Sequence, residues 1–235
     1  MYTNLKTIGV LGGMGAAASA DFYQYLVRLS QTKYHAEQDH DFPEMFIYNL
    51  SMTGFDETGF VDPESVKNQL IAGVKKLEAA GSDFIVIPCN TVHHFFVEMQ
   101  AAVYIPILNI VDVVADVAKQ QGYARVGLLN SQSTRLYRLY ETALAKEGIE
   151  VFSTTDSEQH EVGRVISHAI AGTQGEEDKT LLKKIIHRYS EQGAQAVVIG
   201  CTELPLAISQ ENTDTPLLNS TKLLAEEALR FAYGK

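Results

Sequence analysis

The chain has 235 residues, 46% apolar and 20% charged, so it can bury a sizeable core and shows no compositional sign of disorder. Its net charge is −10 and it has no Lys/Arg-rich run, which excludes nucleic acid and anionic membrane surfaces as expected partners. No stretch approaches the about 18 consecutive apolar residues of a membrane span, and the first ten residues lack a leader-like apolar run, so a cytoplasmic protein is expected.

Short apolar runs alternate with helical stretches along the chain. Thr7–Leu11 reads as a buried strand ending at Gly12-Gly13. The glycine run Gly12-Gly13-Met14-Gly15 lacks the G-x-G-x-x-G spacing and reads as a tight turn rather than a nucleotide site. A helix is predicted from Ala16 to near Gln31, then a strand over Met45–Leu50. Pro63–Ala80 is a helix with Pro at its start and Gly81 past its end. Asp83–Pro88 is a third strand, ending at Cys89. Strands without period-2 alternation, separated by helices, predict an α/β fold with mainly parallel strands.

The second half repeats the first. Gly81-Ser-Asp-Phe-Ile-Val-Ile-Pro-Cys89 echoes Gly193-Ala-Gln-Ala-Val-Val-Ile-Gly-Cys201. Pro106-Ile-Leu-Asn109 echoes Pro216-Leu-Leu-Asn219, and Ile8-Gly9-Val10-Leu11 echoes Val126-Gly127-Leu128-Leu129. Three echoes in one order predict two half-chains of about 110 residues built on a single α/β unit. If the halves face each other about a pseudo-twofold axis, Cys89 and Cys201 oppose each other across a cleft. Ligands bind beyond the carboxyl ends of strands in such sheets.

Two cysteines are too few for an all-thiolate zinc site, and neither lies in a CxxC motif. An isolated cysteine is most simply a buried small hydrophobe, but equivalent strand ends favour function. Two acid/base groups on opposite faces of a carbon suit racemisation, one removing a proton and the other returning one. A free thiol has a pKa of about 8.5, which a helix N-terminus lowers. Helix starts are predicted directly after both residues, at Cys89-Asn90-Thr91 and Cys201-Thr202-Glu203.

At these residues the chain resembles the aspartate/glutamate racemase family, most closely its aspartate racemase branch. The motifs are Leu11-Gly12-Gly13-Met14-Gly15, Pro88-Cys89-Asn90-Thr91-Val92-His93 and Gly200-Cys201-Thr202-Glu203. The resemblance implies two similar α/β domains related by a pseudo-twofold axis, each a small parallel sheet flanked by helices, with the active site in the cleft. It implies exchanged final segments, so that 1–105 plus 214–235 form the first domain and 106–213 the second. It implies a homodimer, an amino-acid substrate, no cofactor and no metal. It makes Cys89 and Cys201 the catalytic pair. Asn90, Thr91 and Thr202 hold the α-carboxylate and amino group, Thr134 contacts substrate, and Met14 lines the cleft. The loop 51–56 lacks the Arg often found there in aspartate racemases, and His160 stands where they place a Lys for the distal carboxylate. Arg164 lies one helical turn beyond His160.

Other features read more plainly. His93 is either a supporting hydrogen-bond partner near Cys89 or a helix-packing residue. Glu203 is either an early helix acid or an orienting partner of Cys201. Tyr137 and Tyr140 are expected in the core or an interface, and Glu176-Glu177-Asp178 as a solvated helix start. The function expected is aspartate racemisation. The alternatives are a glutamate or broad-specificity racemase, a maleate isomerase, a hydantoin racemase, or a non-catalytic small-molecule binding module. The last gives no reason for paired thiols.

Overall fold

The computed structural model describes residues 5–56 and 59–234. The remaining positions, 1–4, 57–58 and 235, all assigned above to the first domain, lie outside the described residues. The elements in chain order begin with β1 (Ile8–Gly12), α1 (Ala16–Tyr34), β2 (Met45–Asn49), β3 (Phe55–Asp56), β4 (Gly59–Phe60) and α2 (Pro63–Ala79). There follow β5 (Phe84–Val86), α3 (Phe96–Ala101), β6 (Ile107–Leu108) and α4 (Ile110–Gln120). The second half runs β7 (Arg125–Asn130), α5 (Gln132–Leu136), α6 (Leu139–Lys146), β8 (Glu150–Phe152), α7 (Asp156–Ala171) and α8 (Glu176–Glu191). It closes with β9 (Ala196–Gly200), β10 (Leu217–Asn219) and α9 (Ser220–Ala232).

Two four-stranded sheets result, ordered β2-β1-β5-β6 and β10-β9-β7-β8, and every strand pair in them is parallel. Each sheet follows one rule. Its first strand (β1 or β7) receives the second on one side and the third on the other, and the fourth closes the edge beside the third. The predicted duplication is therefore present as topology. β1, β5 and β9 are buried at every position, as expected for parallel strands with helices on both faces.

Local chemistry sets the helix limits. Asp62 caps α2 by accepting from the Ser65 amide at 3.0 Å, with Pro63 in the first turn. Thr155 and Glu158 form a capping box at the start of α7, and Gly172, at φ 71°, ends it. At the end of β1, Gly13 has φ 99°, and a Cβ there would strike the Leu50 backbone, so only glycine makes this turn.

The chain divides into two compact units. The first runs up to Phe55, through Val61–Ile110, and from Thr221 onward; the second holds Val111–Ser220 and the residues described between Asp56 and Phe60. The boundaries expected after 105 and 213 thus move to Ile110 and Ser220. The reason is hydrogen bonding. β6 pairs with β5 and β10 pairs with β9, so each closing strand stays in its own sheet, and only the following helix, α4 or α9, changes unit. The last strand therefore does not return to the first domain, while the last helix does.

In the second unit the core lies between α7, α8 and the strands. Val162, Val165, Leu182, Ile186 and Tyr189 pack with Leu129, Val197 and Ile199, all at most 1% exposed. Truncating Leu182 at the centre of this cluster leaves a cavity that rigid neighbours only partly fill. Leu182→Ala is expected to cost about 3 kcal/mol of stability, read as a lower urea midpoint with little change in slope.

Candidate active site

In both sheets the direction of strand addition reverses between the first strand and the third, β1/β5 and β7/β9. Such a reversal parts the connections leaving the two strands and opens a crevice at their carboxyl ends, which is where open α/β sheets bind ligands. Gly13-Met14 and Cys89 follow β1 and β5. Asn130 ends β7, Ser131 through Thr134 follow it, and Cys201 follows β9. The first unit thus has Met14, Cys89, Asn90 and Thr91, and the second Thr134, Cys201 and Thr202, just beyond the carboxyl ends of its central strands, whereas His160 lies on α7.

In the first unit Cys89 is buried and not in a disulfide, and it closes a sharp turn in which its amide donates to the Ile87 carbonyl at 2.8 Å. Asn90, Thr91 and Met14 are buried as well. The segment Thr91–Phe95 is a 3-10 turn, not the predicted helix start, and Asn90 makes no side-chain cap bond there. His93 accounts for this. Its amide donates to the Asn90 carbonyl three residues back at 3.1 Å, and its Nδ1 lies 2.8 Å from the Cys89 carbonyl oxygen. A carbonyl only accepts, so Nδ1 carries the proton. The Ile110 amide donates to Nε2 at 3.4 Å. Neutral His93 thereby clips the Cys89 turn to the start of α4. Burial pushes its pKa down to about 4, against smaller opposing contributions from backbone hydrogen bonds.

In the second unit the Cys201 thiol donates to Glu203 Oε2 at 3.1 Å, and the Thr202 hydroxyl donates to the same oxygen at 3.1 Å. All three residues are buried. Glu203 is therefore a partner of Cys201, the second of its two readings. The turn after it, Leu204–Leu206, is again a short 3-10 segment with Pro205 in it rather than a helix N-terminus. Neither cysteine has the helix start the sequence predicts. Behind Cys201, a Cβ at Gly200 would lie 2.7 Å from the Tyr140 ring, so glycine lets the ring close against the strand. The Tyr140 hydroxyl hydrogen-bonds with the Ser220 side chain, whose Oγ donates to the Ile199 carbonyl at 2.8 Å. Burial raises the Tyr140 pKa far above the ordinary phenol value, so it stays neutral.

Thr134 is fully buried in α5, where Ser131 Oγ accepts from its amide and donates to its Oγ1 at 3.0 Å. The Gln159 side chain donates to the Asn130 carbonyl at 2.9 Å and accepts from Thr154 Oγ1 at 2.6 Å, tying α7 to the end of β7. Sequence reasoning passed over Ser131, Gln159 and Asn130. The signal was available: three polar residues break an otherwise apolar strand end or helix face. His160 follows Gln159 and is exposed. Arg164 is not available for a substrate carboxylate, because it bonds Glu161 and Asp178, each at 3.1 Å. Asp178 in turn is buried, not solvated as its acidic run suggests. It also takes His168 Nδ1 at 2.9 Å and the Gly175 amide at 3.1 Å, and these partners hold its carboxyl below the usual range despite burial. Among the described residues, no group of three or more His, Cys, Asp or Glu is placed to hold a metal ion.

The Asp/Glu/Hydantoin racemase family profile matches residues 11–228. The chain belongs to the Asp/Glu/hydantoin racemase family and is, by that membership, an isomerase. Over 222 residues it is 29% identical to the broad specificity amino-acid racemase RacX of Bacillus subtilis, covering 94% of this chain and 96% of that protein. Its fold is similar to the crystal structure of an aspartate racemase homologue from Pyrococcus horikoshii, at 30% identity and TM-score 0.81, covering 97% and 99% of the two chains. It is also similar to Picrophilus torridus aspartate racemase, at 28% identity and TM-score 0.79, covering 97% and 94%.

His93 gives the site a pH signature. Its folded pKa, about 4, lies below the 6.5 of a free histidine, so the folded state resists protonation. Stability from this group is complete above pH 6.5 and is lost as the pH falls toward 4. The loss is on the order of 3 kcal/mol. His93→Gln keeps a donor and an acceptor without the charge, so its unfolding free energy should fall less steeply over that window. Equal slopes in urea titrations of the two proteins would remove His93 from this role.

Proposed function

We propose that the chain is a pyridoxal-phosphate-independent amino-acid racemase that favours aspartate and uses Cys89 and Cys201 as its acid/base pair. The observation that carries this reading is the equivalent position of the two buried thiols, each just past the third strand of a duplicated sheet, in a chain of a racemase family. One sulfur, as thiolate, takes the proton from the α-carbon. The electron pair of that bond passes to the carbon and is shared with the α-carboxylate. The other thiol then gives its proton to the opposite face, leaving a thiolate in its place. The reverse reaction starts from that state and the other enantiomer. Glu203, 3.1 Å from Cys201 Sγ, is placed to take the thiol proton that creates the thiolate. Asn90, Thr91, Thr202, Thr134 and Met14 are assigned to hold the substrate's α-carboxylate, amino group and carbon skeleton. A homodimer belongs to the same reading and is read out by light scattering.

Aspartate is supported by the similarity to aspartate racemases along nearly the whole chain. A broad-specificity racemase is the second reading. It is favoured by the similarity to RacX, by a loop 51–56 without a cation, and by Arg164 being engaged elsewhere.

Incubation with L-amino acids in deuterium oxide, followed by chiral separation, tests the reaction. Cys89→Ala and Cys201→Ala should each reduce racemisation by at least about a thousandfold, the scale of a lost acid/base group, while one-sided solvent exchange can persist. Chelator treatment should leave activity intact. Near-wild-type racemisation by either variant would end the two-thiol mechanism.

His160 separates the two substrate readings. If aspartate is favoured and His160 partners its distal carboxylate, His160→Ala raises the KM for aspartate more than it lowers kcat. An unchanged KM, with neutral amino acids turned over as well as aspartate, selects the broad-specificity reading.

A further inference from the structure

Asn130 is the last residue of β7 and is 2% exposed, yet its side-chain Nδ2 has no hydrogen-bond partner among the described residues. A buried amide donor left unpaired costs about 1–3 kcal/mol, so its persistence calls for a partner that arrives from outside the chain. Its position says which. In the β7–β9 ladder Asn130 pairs with Gly200, the residue before Cys201. It therefore sits at the reversal point of the second sheet, beside the thiol.

The residue is also held firmly. Its carbonyl accepts from Gln159, which is itself fixed by Thr154, and the neighbouring Ser131 caps α5. The backbone carrying the unpaired amide is thus pinned on both sides. Cys201 is 7% exposed, so any substrate that reaches its sulfur enters the enclosed strand end where Asn130 lies.

The duplication sharpens the argument. Ile8 pairs with Phe84 as Val126 pairs with Ala196. Counting on from these pairs, Cys89 matches Cys201 and Gly12 matches Asn130. The acid/base position is occupied by the same residue in both halves, whereas this position carries a side chain in only one. A racemase treats the two faces of the α-carbon alike but must hold the substrate side chain in one place.

We infer that Asn130 is a specificity-determining residue whose Nδ2 donates to an oxygen on the substrate's side chain. The inference rests on the racemase reading and narrows its substrate class. A neutral N–H reads an acceptor oxygen rather than a charge. The favoured substrates are then short amino acids with a side-chain carboxylate or carboxamide, aspartate and asparagine alike, over alanine, which offers no acceptor.

Titration calorimetry of the intact protein with racemic aspartate, asparagine and alanine tests this, because a racemic ligand keeps its composition during turnover. The wild type should bind aspartate and asparagine more tightly than alanine. Asn130→Ala should weaken the first two by about tenfold, the scale of one lost hydrogen bond, and leave alanine unchanged. Asn130→Asp is nearly isosteric and offers an acceptor in place of the donor. It should repel aspartate but accept from the asparagine carboxamide, so asparagine should become the preferred ligand. If both variants weaken all three ligands by one factor, Asn130 is only structural and the inference is overturned. If neither variant changes any affinity, or the wild type binds alanine as tightly as aspartate, it is overturned too. Chiral separation of the same mixtures, started from single enantiomers, reports separately on whether the protein racemises at all.

Discussion

The chemistry of this chain depends on the pairing of two central strands in each sheet, β1 with β5 and β7 with β9. Parallel pairing fixes register, and register fixes which residues leave the sheet side by side. Asn130 opposite Gly200 puts the β7 turn next to Cys201. The same pairing in the first sheet puts the Gly13-Met14 turn next to Cys89. A shift of one residue in either ladder would carry a cysteine to the opposite face of its strand direction. Full burial of β5 and β9 makes such a shift costly, because apolar side chains would lose their packing on both faces.

The two halves share topology but support their thiols differently. In the first, a neutral histidine ties the Cys89 carbonyl to the next helix and puts no charge there. In the second, a buried carboxylate accepts directly from the Cys201 thiol, while Tyr140 and Ser220 brace the strand behind it. Pairing the thiols by duplication and then diverging around them lets each be tuned separately. Glu203 gives the Cys201 thiol hydrogen a buried acceptor. His93 fixes the shape of the Cys89 turn without altering its charge.

Much of this was legible in the sequence, for a physical reason. Strands covered on both faces are continuous apolar runs, so Ile8–Leu11, Phe84–Ile87 and Val197–Ile199 stand out, and duplication doubles the signal. The cysteines stand out because each closes such a run. The 3-10 turns after them do not, because Asn90 and Thr202 are as compatible with a helix cap as with a turn. What decides between these is a bond from His93 to the Cys89 carbonyl, and Pro205 in the second turn. The burial of Asp178 is hidden for the same kind of reason. Its partners Arg164 and His168 stand 14 and 10 residues away and meet it only once α7 and α8 pack. The unit boundaries escape local reading because they depend on which sheet takes the two-residue strand β6 and the three-residue strand β10.

For the aspartate reading, the net charge of −10 poses a question, how an acidic protein would hold an anionic amino acid. Long-range attraction does not serve, since the summed field repels an anion and salt screens it within about 8 Å. Nor do full-length helix N-termini at the cysteines, which the structure replaces with 3-10 turns of five and three residues. Arg164 is spent on Asp178, and the loop 51–56 offers no cation. The neutral polar groups at the two strand ends are the hydroxyls of Thr91 and Thr134 and the amides of Asn90 and Asn130, all buried, while the Thr202 hydroxyl donates to Glu203. Neutral donors aimed into a water-poor site hold an anion more strongly than they would in water, because little else screens it there. They also spare the protein the cost of burying an unpaired cation when the site is empty. Recognition by hydrogen bonds rather than by ion pairing tolerates substrates that differ in charge but share the placement of their oxygens. That tolerance suits a chain that is similar both to aspartate racemases and to a broad-specificity racemase.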